Sequence, residues 1–141
     1  MKVLFLGTGT SHGIPRISCK CEVCTSTDPK NKRDRASILI QMDGKNVLVD
    51  TGPDLRHQSI QWEVDRVDAV LYTHTHADHL YGLDDLRAFS ARQQNSIPCY
   101  CSPATSARIR HVFDYVFQLE HLGYGIPQIQ LVEFTGPFDV F

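Results

Sequence analysis

The chain has 141 residues, 42% of them hydrophobic and 21% charged, with a formal net charge of −2. That length fits a single domain over 1–141 with a sizeable core. The balanced charge gives no global reason to expect a nucleic-acid or membrane-surface partner, and no apolar run approaches the roughly 20 residues of a membrane span.

The opening MKVLFLGTGT carries one lysine and a short apolar stretch cut by Gly7 and Gly9. It is too short for the apolar part of a signal peptide, so it predicts a buried first strand over 2–6 in a cytoplasmic protein. GTGTSHGIP (7–15) reads as a glycine-rich loop. Its glycines miss the Gly-x-Gly-x-x-Gly spacing of a dinucleotide site. A tight turn is the better reading, one whose amides could face a phosphate. CKCEVC follows, then a polar basic stretch over 26–35. Without interleaved aromatics that stretch predicts a solvated loop more than a nucleic-acid patch.

Two β-rich runs, 36–42 and 45–50, are joined by Asp43-Gly44, the two-residue hairpin pattern that needs positive φ. Residues 53–62 predict a short helix with Pro53 in its first turn. DAVLYT (68–73) predicts a strand that runs straight into THTHADH. Residues 78–91 predict one helix with Leu80, Leu83, Leu86 and Phe89 on a common face. IPCYC (97–101) is a further strand, and Ser102-Pro103 caps the clearest helix of the chain. Ile109, Val112, Phe113, Val116 and Phe117 give that helix a buried stripe. QIQLVEF (128–134) is the last predicted strand. Strands with interspersed helices make the class α/β or α+β.

Chemistry concentrates in THTHADH. His74 and His76, two apart on a strand end, point to one side and can reach one metal. Asp78 and His79 follow at the turn into a helix and can reach an adjacent one. Imidazole and carboxylate suit zinc, manganese or iron. Two ions about 3.5–4 Å apart activate water and stabilise both attacking and leaving oxygens. The cysteines number five, an odd count for a disulfide framework. Cys19, Cys21 and Cys24 offer three corners of a tetrahedral structural zinc, with a redox pair or free thiols as alternatives. Cys99 and Cys101 read as buried strand cysteines more than as a fourth ligand. His57, His111 and His121 read as ordinary helix residues. His12, in the glycine loop, is a candidate substrate or metal contact.

THTHADH resembles the signature of the metallo-β-lactamase-fold hydrolases. The likeness extends to LFLGTGTSHGIP, LVDTGP and GLDDLR. CKCEVC narrows it to a branch containing the phosphoribosyl cyclic phosphodiesterase of the carbon–phosphorus lyase pathway, related to tRNA 3′-processing endonucleases. The resemblance implies an αββα sandwich with two divalent ions, zinc or manganese, at one edge. His74 and His76 would hold the first ion, and Asp78 and His79 the second, Asp78 also being the catalytic carboxylate. Asp50 would orient a ligand histidine. The expected substrate is a small cyclic phosphodiester of a sugar or nucleotide, although RNA, thioester and lactone hydrolysis use the same ligands.

Three further donors of the family pattern, a histidine, a bridging aspartate and a last histidine, come from the second half of that fold. The fourth ligand of the cysteine site does too. Four of seven donors therefore predict the N-terminal half of a longer hydrolase, or else a metal-binding module that needs a partner half. Uncovered sheet surface would invite chains to associate as dimers or by swapping strands.

Overall fold

The computed structural model describes residues 1–118 and 125–141. Six strands form one mixed sheet in the spatial order of the sequence: β1 (Lys2–Gly7), β2 (Ser37–Met42), β3 (Lys45–Val49), β4 (Ala69–Leu71), β5 (Ile97–Cys101) and β6 (Ile129–Glu133). β1, β2 and β3 pair antiparallel, and β3 through β6 pair parallel. The hairpin between β2 and β3 turns on Asp43 (φ 52°) and Gly44 (φ 74°), the paired left-handed residues that its sequence predicts. The α/β expectation holds.

Register explains the layering. Leu4, Leu39, Leu48, Val70, Cys99 and Leu131 stand side by side across the six strands and face the core. The helices bury their apolar faces against this row: α2 (Leu55–Gln61) with Leu55, α3 (Ala77–Leu80) with Leu80, α4 (Leu86–Gln93) with Leu86 and Phe89, and α5 (Pro103–Val112) with Ile109. α1 (Glu22–Thr25) is a single turn that carries two of the clustered cysteines' neighbours and buries Cys24. Truncating any of the fully buried leucines to alanine costs about 2–5 kcal/mol.

One residue along, Phe5, Ile38, Val49, Leu71, Tyr100 and Val132 form a second row on the opposite face. No described helix covers it. Phe5 is 61% exposed and Val3 41%, so β1 is an edge strand open on one side and not the buried strand expected from its unbroken apolar run. The segment after β6 covers part of this face, with Phe138 stacked on Tyr100 at 5.3 Å between ring centroids.

The helix expected over 78–91 is broken. α3 ends at Leu80, a 3₁₀ turn spans Leu83–Asp85, and α4 begins at Leu86. The four predicted apolar residues are all buried nonetheless. The break lets Gly82 press against the loop after β3: a Cβ there would meet Gly52 O at 2.0 Å. The Gly82 N–H donates to Thr51 O at 2.8 Å. α5 has the predicted cap, with Ser102 Oγ accepting from Thr105 N–H at 3.2 Å. It stops at Val112, and the apolar stripe continues through a 3₁₀ turn over Asp114–Phe117. His121 lies outside the described residues. Among the described residues no helix is long and apolar enough to cross a membrane.

Candidate metal centre

The carboxyl ends of β3 and β4 carry the cluster, the edge where open α/β sheets place their sites. Asp50 follows β3 directly. Its φ of 63° is left-handed, a conformation Asp tolerates better than most residues. It is held there by its N–H on Leu71 O at 2.9 Å, and Thr51 N–H donates to His79 O at 2.7 Å. Thr51 and Tyr72 join hydroxyls beneath the loop at 2.9 Å, both buried. Burial is also the main reason the Tyr72 phenol is pushed well above its usual range. The loop floor is therefore a fixed, neutral support.

The side chains of Asp50, Thr73, His74, His76, Asp78 and His79 converge above that floor. Asp50 is only 4% exposed. Its Oδ1 accepts from the Thr73 N–H at 2.8 Å, and its Oδ2 accepts from the Thr73 hydroxyl at 2.7 Å. His79 Nδ1 lies 2.7 Å from the same Oδ2. A carboxylate only accepts, so this contact places a proton on Nδ1 and turns Nε2 of His79 away from Asp50. Nε2 of His79 lies 3.2 Å from Asp78 Oδ2. His74 Nε2 stands 3.1 Å from His76 Nδ1, and the ring of His74 is 4.1 Å from that of His79 between centroids.

These separations suit hydrogen bonds in the metal-free chain and are also short enough for donors that share an ion. Two atoms bonded to one tetrahedral zinc at 2.0–2.1 Å lie about 3.4 Å apart. A cation or a proton between His79 Nε2 and Asp78 Oδ2 would satisfy both atoms. The arrangement offers two donor pairs, the nitrogens of His74 and His76, and His79 Nε2 with Asp78 Oδ2.

The three cysteine sulfurs form a separate group. Cys19, Cys21 and Cys24 Sγ all lie within 4.8 Å of one another, close to the sulfur separation of about 3.8 Å across a tetrahedral zinc. Cys24 Sγ also accepts from the Arg16 N–H at 3.4 Å. Cys99 and Cys101 are fully buried on the core face of β5. Burial pushes the Cys101 thiol up to about 11 and raises Cys99 further still, so both behave as small apolar residues.

His12 is exposed on its loop; its N–H donates to Thr10 Oγ1. Its ring makes no contact with the histidine cluster among the described residues. His57 pairs with Asp34 at 2.8 Å instead, and His111 is exposed on α5. The glycine loop packs by close backbone approach: a Cβ on Gly7 would meet Arg35 O at 2.1 Å. Arg35 Nε donates to Ser11 O at 2.9 Å and pins the loop. Between that loop and the cluster lies an open cavity of about 310 Å³, lined by Phe5, Gly7, Thr8, Ile38, Asp50 and His79 among others.

Thr73 and Thr51 were not singled out by the sequence. Thr73 opens THTHADH, but a threonine at a strand end carries no signal of its own. The role of Thr51 depends on Tyr72, 21 residues away, and had no local signal.

Residues 45–140 match the model of the beta-lactamase superfamily domain. A crystal structure of a new diphosphatase from the PhnP family superposes with a TM-score of 0.87 at 38% identity, covering 99% of this chain and 52% of that one. Zn(2+)-bound PqqB from Methylobacterium extorquens superposes at 0.71 with 25% identity, covering 99% and 48%. Among curated proteins, an octanoyltransferase of Porphyromonas gingivalis is 41% identical over 99% of this chain and 28% of its own length. The chain thus spans about half the length of the two solved relatives and a smaller part of the curated one. Sheet order, loop contacts and family match agree, and the chain belongs to the beta-lactamase superfamily, with the metallo-β-lactamase fold.

Proposed function

We propose that the chain is the N-terminal half of a divalent-metal-dependent phosphoester hydrolase, with a small phosphodiester or diphosphate as substrate. The observation that carries this is the pairing of donors, His74 with His76 at 3.1 Å and His79 with Asp78 at 3.2 Å, around one anchoring carboxylate. The likeness to a diphosphatase favours phosphorus chemistry over the other ester classes of the fold.

Divalent ions bound there would lower the pKa of water and neutralise charge on phosphoryl oxygens. The chain's own part is positional. Asp50 and Thr73 hold the rings of His79 and His74, so that no ring has to reorient as charge develops. Asp78 adds a negative carboxylate beside His79. The open cavity beside the glycine loop gives the substrate's non-reacting part a mostly apolar wall. The remaining donors are proposed to come from a second half. The coverage of about 50% of both solved relatives supports this. We further propose that Cys19, Cys21 and Cys24 hold a structural zinc.

The test uses the native protein that contains this chain. Hydrolysis of a chromogenic phosphodiester should vanish with chelator and return with zinc or manganese. His76→Ala should weaken metal binding by more than the roughly 10–100-fold lost with an outer partner. Activity that survives both treatments sinks the proposal. A second reading, a metal-binding module without catalysis, is favoured by one observation: among the described residues each donor group contains a single pair. Metal uptake without turnover in the native protein would establish it.

A further inference from the structure

We propose that Thr73 is a positioning residue whose hydroxyl bridges His74 to Asp50, so that one carboxylate oxygen orients one histidine from each donor pair. The inference rests on the metal-centre reading for its purpose, but not for its geometry. Thr73 Oγ1 lies 2.7 Å from Asp50 Oδ2 and 2.9 Å from His74 Nδ1. A threonine hydroxyl has one hydrogen and two lone pairs. The carboxylate oxygen accepts that hydrogen, so the hydroxyl oxygen must accept from His74, which places the ring proton on Nδ1. The His74 Nε2 lone pair is then turned toward His76 Nδ1, 3.1 Å away. Asp50 Oδ2 does the same to His79 directly, at 2.7 Å. Both rings are thereby set in the same tautomer by the same oxygen, one directly and one through the hydroxyl.

The main chain does not need this hydroxyl. The Thr73 N–H already donates to Asp50 Oδ1 at 2.8 Å, and the Thr73 side chain is exposed and outside the packed core. A threonine chosen only for its fit to a strand end would tolerate valine, which keeps the shape and loses the bridge. A threonine that orients His74 would not.

The experiment compares the native protein that contains this chain with its Thr73→Val and Thr73→Ser variants. Long-range proton–nitrogen NMR of the metal-free protein reads which nitrogen of His74 carries the hydrogen, and a zinc titration followed at the His74 and His79 ring signals reads affinity at this cluster apart from the cysteine group. In the wild type and in Thr73→Ser the proton should sit on Nδ1. In Thr73→Val it should redistribute toward Nε2, zinc should bind about 10–100-fold more weakly, and the thermal midpoint should stay unchanged. A wild-type His74 protonated on Nε2 overturns the proposal, as does a Thr73→Val chain with unaltered tautomer. If no chain binds zinc, the metal-centre reading fails, and the NMR comparison still decides the bridge.

Discussion

At the scale of single residues, the cysteine cluster carries the sharpest expectations. The Cys24 backbone N–H, with the Cys19 and Cys24 thiols, draws Cys21 down to about 7, and Cys21 is exposed. At Cys24 the Arg16 N–H favours the thiolate, but the Cys19 thiol and burial outweigh it, and the group is raised. Thiolate is the nucleophile, so brief alkylation of the metal-free chain at neutral pH should modify Cys21 well before Cys24. Peptide mass mapping reads this, and equal labelling would contradict it. A thiol depressed on folding contributes stability above its unfolded value, and loses it as pH falls through about 7. Zinc should protect all three cysteines, and Cys24→Ser should lose zinc and thermal stability together; lost activity at full stability would argue for a different role. His74, His76, Asp78 and His79 were legible because they crowd into six residues. Thr73 was not, since a threonine at a strand end is ordinary until Asp50 is seen beside it.

At the scale of elements, the break between α3 and α4 separates what periodicity can and cannot tell. Leu80, Leu83, Leu86 and Phe89 keep a helical spacing and are all buried, so the buried face was readable. The interruption was not, because it is imposed by a partner in another loop. Gly52 and Gly82 bring two backbones into contact: a Cβ on Gly52 would lie 2.3 Å from Asp78 O, and one on Gly82 would lie 2.0 Å from Gly52 O. Those obstacles are main chain and cannot swing aside. Gly82→Ala should therefore destabilise the chain by about 1–3 kcal/mol, the usual cost of overpacking. Because Asp78 and His79 ride on that contact, the substitution should also weaken zinc binding. Urea unfolding with a parallel zinc titration checks both, and a wild-type unfolding midpoint would refute the steric account. Likewise, β1 looked buried because Val3 and Phe5 alternate with Leu4 and Leu6 and all four are apolar. Alternation cannot report a face when both sides carry the same chemistry.

At the scale of the molecule, the described helices cover one face of the sheet, and the segment after β6 covers only part of the other. The second row, Phe5 to Val132, is apolar across all six strands, while the αββα architecture has a second sheet packed about 10 Å away. We expect the 141-residue chain to self-associate through this face. Sedimentation velocity should show species larger than a monomer, and Phe5→Lys, at the most exposed position of the row, should shift them toward monomer. A strictly monomeric wild type would count against it. The same chain should hydrolyse a chromogenic phosphodiester slowly or not at all, because catalytic zinc commonly has three protein ligands and each ion here would have two. Turnover on the order of 1 s⁻¹ would show that the chain completes its own centre.

Two fixed atoms define an edge of a coordination shell and leave its other corners undetermined, so neither the number of ligands nor their polyhedron is set by His74, His76, Asp78 and His79. If these residues bind metal as proposed, they would, with geometry left open, rank divalent ions only by intrinsic donor preference. Any finer choice between zinc and manganese then belongs to the groups that close the shell and to cellular supply. A chimera that keeps this chain and exchanges its complementing half should be able to change its metal.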